Sequence, residues 1–196
     1  RQAVREGLKV LAAKGLIAPR RHIGSYVLPR EAWNLLDPDI LAWHHRDLIP
    51  RSFLRDLVEL RGLVEPAAAE FAARRGDSDA VAMMAAAIEG MRANAPRGDA
   101  FVAADTAFHI ALCRASGNVL IDRMSALCAP LLAPSLQLQE EVRPPGRVDE
   151  IIGMHADVYE RIVARDPEAA RAAMQALVDR AASEIMAVIR RDSDGE

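Results

Sequence analysis

From Ser52 onward, apolar residues recur every three to four positions, the period of a helix with one buried face. The pattern repeats through at least six segments. The first covers residues 52–75, with Leu54, Leu57, Val64, Ala68 and Phe71 on one stripe and Pro66 predicting a kink or interruption. A second, capped by Ser78, turns Val81, Met84, Ile88 and Met91 inward. After a loop at 94–99, Asp99 is the expected cap of a third, which carries Phe101, Phe108 and Leu112 and stops at Ser116-Gly117. Asn118 caps a fourth, with Ile121, Met124, Leu127, Cys128 and Leu131 inward. Pro130 and Pro134 should make its end irregular before a loop at 140–146. A fifth, from about Asp149, buries Ile151, Ile152, His155, Val158, Tyr159 and Ile162. Asp166-Pro167-Glu168 opens the sixth with a cap, a first-turn proline and an acid at the positive end of the dipole. Its buried face is Ala170, Met174, Leu177, Val178, Ala181, Ile185 and Val188, and the tail from Arg191 is expected to fray.

The beginning of the chain is patterned differently. Residues 1–14 place Val4, Leu8, Leu11 and Ala12 at helical spacing, and Gly15 supplies the stop. Residues 16–18 and 25–28 are short strands around a basic turn, so the whole predicts a helix followed by a small hairpin. So short a piece cannot bury a core alone, and the sequence is expected to start inside a domain. Residues 31–51 are a linker. Asp37-Pro38 marks a turn, Ile40, Leu41 and Trp43 a short docking helix, and Trp33 and Trp43 anchors for a joint between domains. His44 and His45 are expected in solvent, and Pro50 ends the segment. No internal repeat is evident.

Composition narrows the class. Of 196 residues, 51% are hydrophobic but only 4% aromatic. Alanine makes up much of the difference and favours closely packed helices over sheets. A net charge of -3 does not announce nucleic-acid binding. Locally, however, Arg1, Arg5, Lys9, Lys14, Arg20, Arg21 and Arg30 face a single acid, Glu6, which makes residues 1–30 a candidate phosphate-binding surface. Cys113 and Cys128 form no CxxC motif and fit reduced, buried thiols. No apolar run reaches a membrane span and no signal-peptide pattern opens the chain, so a soluble, cytoplasmic protein is expected.

Three polar features interrupt the apolar stripes: Arg61, the pair Asp105 and His109, and His155. A buried, unpaired carboxylate costs several kcal/mol, roughly, so Asp105 must meet a cation, a polar ligand or a metal. Asp105 and His109 are one helical turn apart, a spacing that brings two ligand atoms to one point. With His155 they could form a site for zinc, nickel, manganese or iron. The alternative is a core Asp–His hydrogen bond, with His155 satisfied elsewhere. Arg61 either snorkels, pairs with a core acid such as Asp105, or clamps a ligand carboxylate with its planar fork. Cys113, a turn after His109, is expected to be a spectator.

The run R-Q-A-V-R-E-G-L-K-V-L-A-A-K-G-L-I-A-P-R-R-H-I-G-S-Y-V resembles the end of a GntR-family winged helix-turn-helix, from recognition helix to wing. The resemblance implies DNA contacts from Arg1 and Arg5 and a close approach of Gly24 to a groove. W-N-L-L-D-P-D-I-L-A-W is similar to the linker of sugar-acid-responsive members. E-L-R-G-L-V-E, the D-x-x-x-H pair and a histidine before D-P-E-A-A resemble the ligand-binding FCD domain of the FadR subgroup. That places Arg61, Asp105, His109 and His155 in an effector pocket. Many metal-binding members carry a further histidine where this chain has Leu177, so three protein ligands remain, with water or an effector carboxylate completing a site.

The expected fold is therefore an all-α helical bundle of at least six helices over residues 52–196, preceded by the C-terminal part of a winged helix-turn-helix. The expected function is a homodimeric, DNA-binding transcriptional regulator. Its helical domain would sense a small organic acid such as a sugar acid, with a divalent metal, zinc or else nickel or manganese, at Asp105, His109 and His155. The alternatives are a metal-dependent hydrolase built on the same three residues and a helical interaction module. No nucleophile motif or phosphate loop supports the hydrolase.

Overall fold

A computed structural model describes residues 1–21, 23–35, 37, 39–40, 51–95, 98–142 and 147–193. The chain divides into two units, Arg1–His44 and His45–Glu196.

In the first unit, helix α1 (Gln2–Ala13) ends on Lys14 and Gly15. Gly15 has φ 73°, and a Cβ there would stand 2.5 Å from the carbonyl oxygen of Ala32, so only glycine fits. Strands β1 (Ile17–Arg20) and β2 (Gly24–Val27) pair antiparallel, with Ile17 opposite Val27 and Arg20 opposite Gly24. A one-turn 3-10 helix follows at Arg30–Ala32, after which Trp33 Nε1 donates to the Leu28 carbonyl at 2.9 Å. Lys14, counted from sequence among the exposed basic groups, is instead 9% exposed. Its ammonium lies 2.6 Å from Asp37 and 2.7 Å from Asp39. The hydrogen bond to Asp37 raises the lysine pKa, and the same bond lowers that of Asp37. This charge is neutralised within the unit and leaves the candidate phosphate-binding surface. Trp43, His44, His45 and Pro50, with most of the short helix expected around them, lie outside the described residues.

The second unit has six helices among the described residues: α2 (Arg51–Arg75), α3 (Ser78–Asn94), α4 (Asp99–Ala115), α5 (Val119–Val142), α6 (Val148–Val163) and α7 (Pro167–Ser193). Helix α2 lies along α7, and α4 packs against α3, α5 and α2. Ala68, Ala69, Ala72 and Ala73 are all buried on α2, where small side chains let helices approach closely. Phe101, Phe108 and Leu112 of α4 meet Met84, Met91, Met174 and Val178 in one continuous core. Among the described residues no helix is long and apolar enough to cross a membrane.

Several local expectations are corrected. Helix α2 runs through Pro66 to Arg75, so of the kink or interruption expected there the interruption does not occur. A proline removes one backbone hydrogen bond, and buried residues on both sides of it, Leu57 and Val58 before and Ala68 and Ala69 after, hold the helix against the core. The loop expected from residue 140 begins later, because helix α5, which contains Pro130 and Pro134, extends to Val142. The cap of α3 is Asp77, not Ser78: its carboxylate accepts from the backbone N–H groups of Asp79 and Ala80, each at 3.0 Å. Asp99 is the first residue of α4 rather than its cap; Gly98 is the cap, and the Asp99 carboxylate accepts from Gln137 at 3.1 Å. Asn118 and Asp166 do cap as expected, accepting from Leu120 and Ala169 at 3.0 Å. Helix α7 stays helical to Ser193, past the point where fraying was expected.

The Asp77 cap yields a direct test. Asp77→Ala removes an acceptor for two otherwise unpaired N–H groups, and urea unfolding should show a loss of about 1 kcal/mol, with Ser78→Ala nearly neutral.

Candidate metal centre

Helix α4 carries the centre because two of its polar residues fall on its buried side. Asp105 is 2% exposed and His109 3%. Phe108, between them in sequence, is fully buried and packs edge-on against both imidazoles, 5.6 Å from His109 and 4.8 Å from His155. These contacts fix the ring planes. His155 comes from α6, 1% exposed, and α2 contributes Arg61 at 6%. The structure thus gathers all four candidates of the helical unit around one small cavity that is partly open to solvent. Arg1, Arg5 and Gly24 belong to the other unit.

The hydrogen bonds determine where the ring lone pairs lie. His155 Nδ1 lies 2.8 Å from the Ile151 carbonyl. A carbonyl can only accept, so Nδ1 carries the proton and a neutral ring presents the Nε2 lone pair. That Nε2 stands 3.5 Å from Asp105 Oδ1, and neither atom has a hydrogen bond among the described residues. His109 Nδ1 lies 2.9 Å from Glu65 Oε2, which likewise can only accept, and its Nε2 stands 3.2 Å from the same Asp105 oxygen. Both contacts of Asp105 are close enough for ion pairing, yet neither is aligned as a hydrogen bond.

A cation at this point would relieve the arrangement. Ligands about 2.0–2.1 Å from one tetrahedral ion stand about 3.3 Å from each other, and the observed 3.2 and 3.5 Å lie on either side of that. The three ligand atoms all fall within 4.8 Å of one another. The outer bonds, His155 to a carbonyl and His109 to a carboxylate, are those that orient metal-binding imidazoles. Asp105, His109 and His155 therefore fit a divalent metal. Without one, a proton on His109 serves the same electrostatic purpose: burial disfavours the imidazolium, but Glu65 and Asp105 outweigh burial and Arg61 and raise its pKa. Burial also opposes the charge on Asp105, but the two histidines hold its carboxyl far below the usual range.

The acid beside Arg61 is Glu65, which sequence reading did not single out. Arg61 neither snorkels nor pairs directly with Asp105. Its Nε donates to Glu65 Oε1 at 2.8 Å and its Nη2 lies 3.1 Å from His109 Nε2. Burial would push Glu65 up, but Arg61 and His109 hold it down to about 2. Arg61 Nη1 remains buried without a partner. The i, i+4 spacing of Arg61 and Glu65 was the available signal. Gln139, Arg180 and Glu184, which also line the cavity, were missed as well. Cys113 is 3% exposed, and burial pushes its thiol up to about 12. It is buried, as expected; the side chain of Cys128 lies outside the described residues.

Residues 56–180 match the FCD domain family. The chain is 32% identical over 182 residues to the galactonate operon transcriptional repressor of Escherichia coli (strain K12), covering 91% of this chain and 77% of that protein. It is 27% identical to the HTH-type transcriptional regulator YieP of the same organism, covering 91% of this chain and 76% of that protein. Among solved structures, Streptococcus agalactiae GntR superposes with a TM-score of 0.60 at 22% identity, covering 93% of this chain and 81% of that one.

Proposed function

Because the chain belongs to the GntR-type transcription regulators that carry an FCD domain, we propose that its helical unit senses a small sugar acid of the galactonate type, held at the Asp105, His109 and His155 centre together with a divalent metal. The chain is a regulator and not an enzyme, as its relatives are, and this displaces the hydrolase alternative. The observation that carries the sensing role is the convergence of unpartnered polar atoms. Arg61 Nη1, Asp105 Oδ1 and His155 Nε2 are all buried without a hydrogen bond among the described residues, and all three residues line one cavity. Unpaired buried polar groups are costly, and a ligand that satisfies them recovers that cost on binding.

The ligand chemistry follows from the donors. A divalent ion held by Asp105, His109 and His155 would supply a positive charge to which the carboxylate and neighbouring hydroxyl of a 2-hydroxy acid could bind as oxygen donors. Arg61, fixed by Glu65, presents its remaining N–H groups to the carboxylate. The similarity to a galactonate operon repressor supports a sugar acid in this role. Leu177 also lines the cavity, so α7 offers an apolar contact where a further imidazole would have closed the coordination sphere.

For DNA binding, Arg1 and Arg5 are exposed at the start of α1 and can reach guanine edges or phosphates. Gly24 has φ 103° with open space around its Cα, which suits backbone that approaches a groove closely. A homodimer would present two such heads to a two-fold operator. The effector would act by binding one arrangement of the heads more tightly than the other, through the connector at residues 30–50.

The test is an operator titration, on a fragment the protein selects from random DNA. Galactonate with Zn²⁺ is expected to shift operator affinity by about fivefold or more, and EDTA should abolish the shift. Binding of galactonate with no change in operator affinity would overturn the coupling. Absence of galactonate binding would overturn the sugar-acid assignment.

A further inference from the structure

The cavity has a second guanidinium on its α7 wall. Arg180 lies one turn beyond Leu177, and its Nη1 reaches Glu150 Oε1 on α6 at 2.7 Å. Its Nε donates to Glu184 Oε1, one turn further along α7, at 3.3 Å. Arg180 and Glu184 share the cavity wall with Arg61, Asp105 and His155. The exposures show which end is which. The side chains of Asp105, His109, His155 and Arg61 are at most 6% exposed, whereas Arg180 is 15% and Glu184 12% exposed. The metal-ligand set therefore forms the inner end of the cavity, and the Arg180–Glu184 pair stands nearer solvent.

The chemistry of that outer pair differs from that of Arg61. Arg180 is held at two points by carboxylates, so it offers a pre-oriented donor rather than an unneutralised charge. Glu184 beside it is an acceptor. A sugar hydroxyl both donates and accepts, so such a pair can bond a single hydroxyl, or two adjacent ones, in both senses. A second carboxylate at this end would face Glu184 and Glu150 and be repelled.

We propose that Arg180 and Glu184 read the hydroxyl-bearing tail of the effector, and so set a preference for a polyhydroxylated monocarboxylate over a short 2-hydroxy acid or a dicarboxylate. The inference rests on the sugar-acid reading of the cavity; what it adds is the residues that choose among acids sharing the same head.

The experiment compares D-galactonate, glycolate and malate by calorimetry on the full chain with Zn²⁺. All three have a 2-hydroxy acid head, and only galactonate carries the long polyol tail. The wild type should bind galactonate about tenfold or more tighter than glycolate or malate. Arg180→Met should weaken galactonate by about tenfold while changing glycolate less than about twofold, since only the tail contact is lost. Glu184→Gln should weaken galactonate and bring malate closer to it, because the repelling charge is gone. Glu184→Gln keeps the side-chain shape and carries the test alone if Arg180→Met does not fold. An unchanged ratio of galactonate to glycolate in both variants, or equal weakening of both acids, would overturn the proposal. A wild type that binds none of the three acids would overturn the sugar-acid reading itself, and this proposal with it.

Discussion

Asp105→Asn should abolish stabilisation of the protein by Zn²⁺. Asp105 contributes the only carboxylate among the three ligand atoms that converge, and asparagine keeps its size while removing the charge. For the wild type, linkage sets the scale: a metal present at about one hundred times its dissociation constant stabilises the folded state by about 2.7 kcal/mol. Loss of a charged ligand should weaken the site by about a hundredfold or more, given that second-shell changes alone cost about 10–100-fold, and the zinc shift should vanish. The measurement is thermal unfolding of both proteins with Zn²⁺ and with EDTA. A purely structural Asp–His core predicts a different pattern, in which the wild type itself ignores zinc and the variant unfolds at lower temperature in either buffer. Retention of the zinc shift in Asp105→Asn would equally exclude the assigned ligand set.

Arg61→Met should be the most destabilising single change in the helical unit. Arg61 and Glu65 are 6% exposed each and directly paired. Removing one member of such a pair leaves the other charge buried and costs about 3–5 kcal/mol, roughly 10 °C in melting temperature for a domain of this size. The double variant Arg61→Met with Glu65→Leu should recover most of that loss, because two apolar groups replace two charges. It should not recover galactonate binding. That split between restored stability and absent binding separates the packing role of the pair from its ligand role. Restoration of both would mean that Arg61 does not touch the effector.

Much of this was legible in the sequence, for identifiable reasons. The helices were readable because their apolar spacing is regular, and the starts at Asn118 and Asp166 because one strong capping residue stands at each. The start of α3 was misjudged because Asp77 and Ser78 are adjacent capping residues, and local chemistry alone does not choose between them. The interruption that was one expected outcome at Pro66 does not occur, because the cost of one lost hydrogen bond is local, whereas the packing that outweighs it includes distant residues such as Met174 and Val178. Asp105, His109 and His155 stood out as polar groups on apolar stripes. Glu65 did not, since it precedes Pro66 in a stretch where a charge reads as surface. Arg180 and Glu184 were hidden in the same way, on a helix whose heavily charged sequence gives no sign of which charges face inward. Such charges become visible only when α6 and α7 are seen to enclose them.

The burial of Cys113 has a practical consequence. Its thiol is 3% exposed and shifted to about 12, so at neutral pH it is almost wholly protonated and shielded. An alkylating reagent reacts with the thiolate and must wait for the bundle to open. Cys113 stands one helical turn from His109 and lines a small cavity with Arg61 and Glu65. In a Cys128→Ser background its labelling rate is therefore a clock for local opening beside the metal centre, read without any spectroscopic probe being added to the protein.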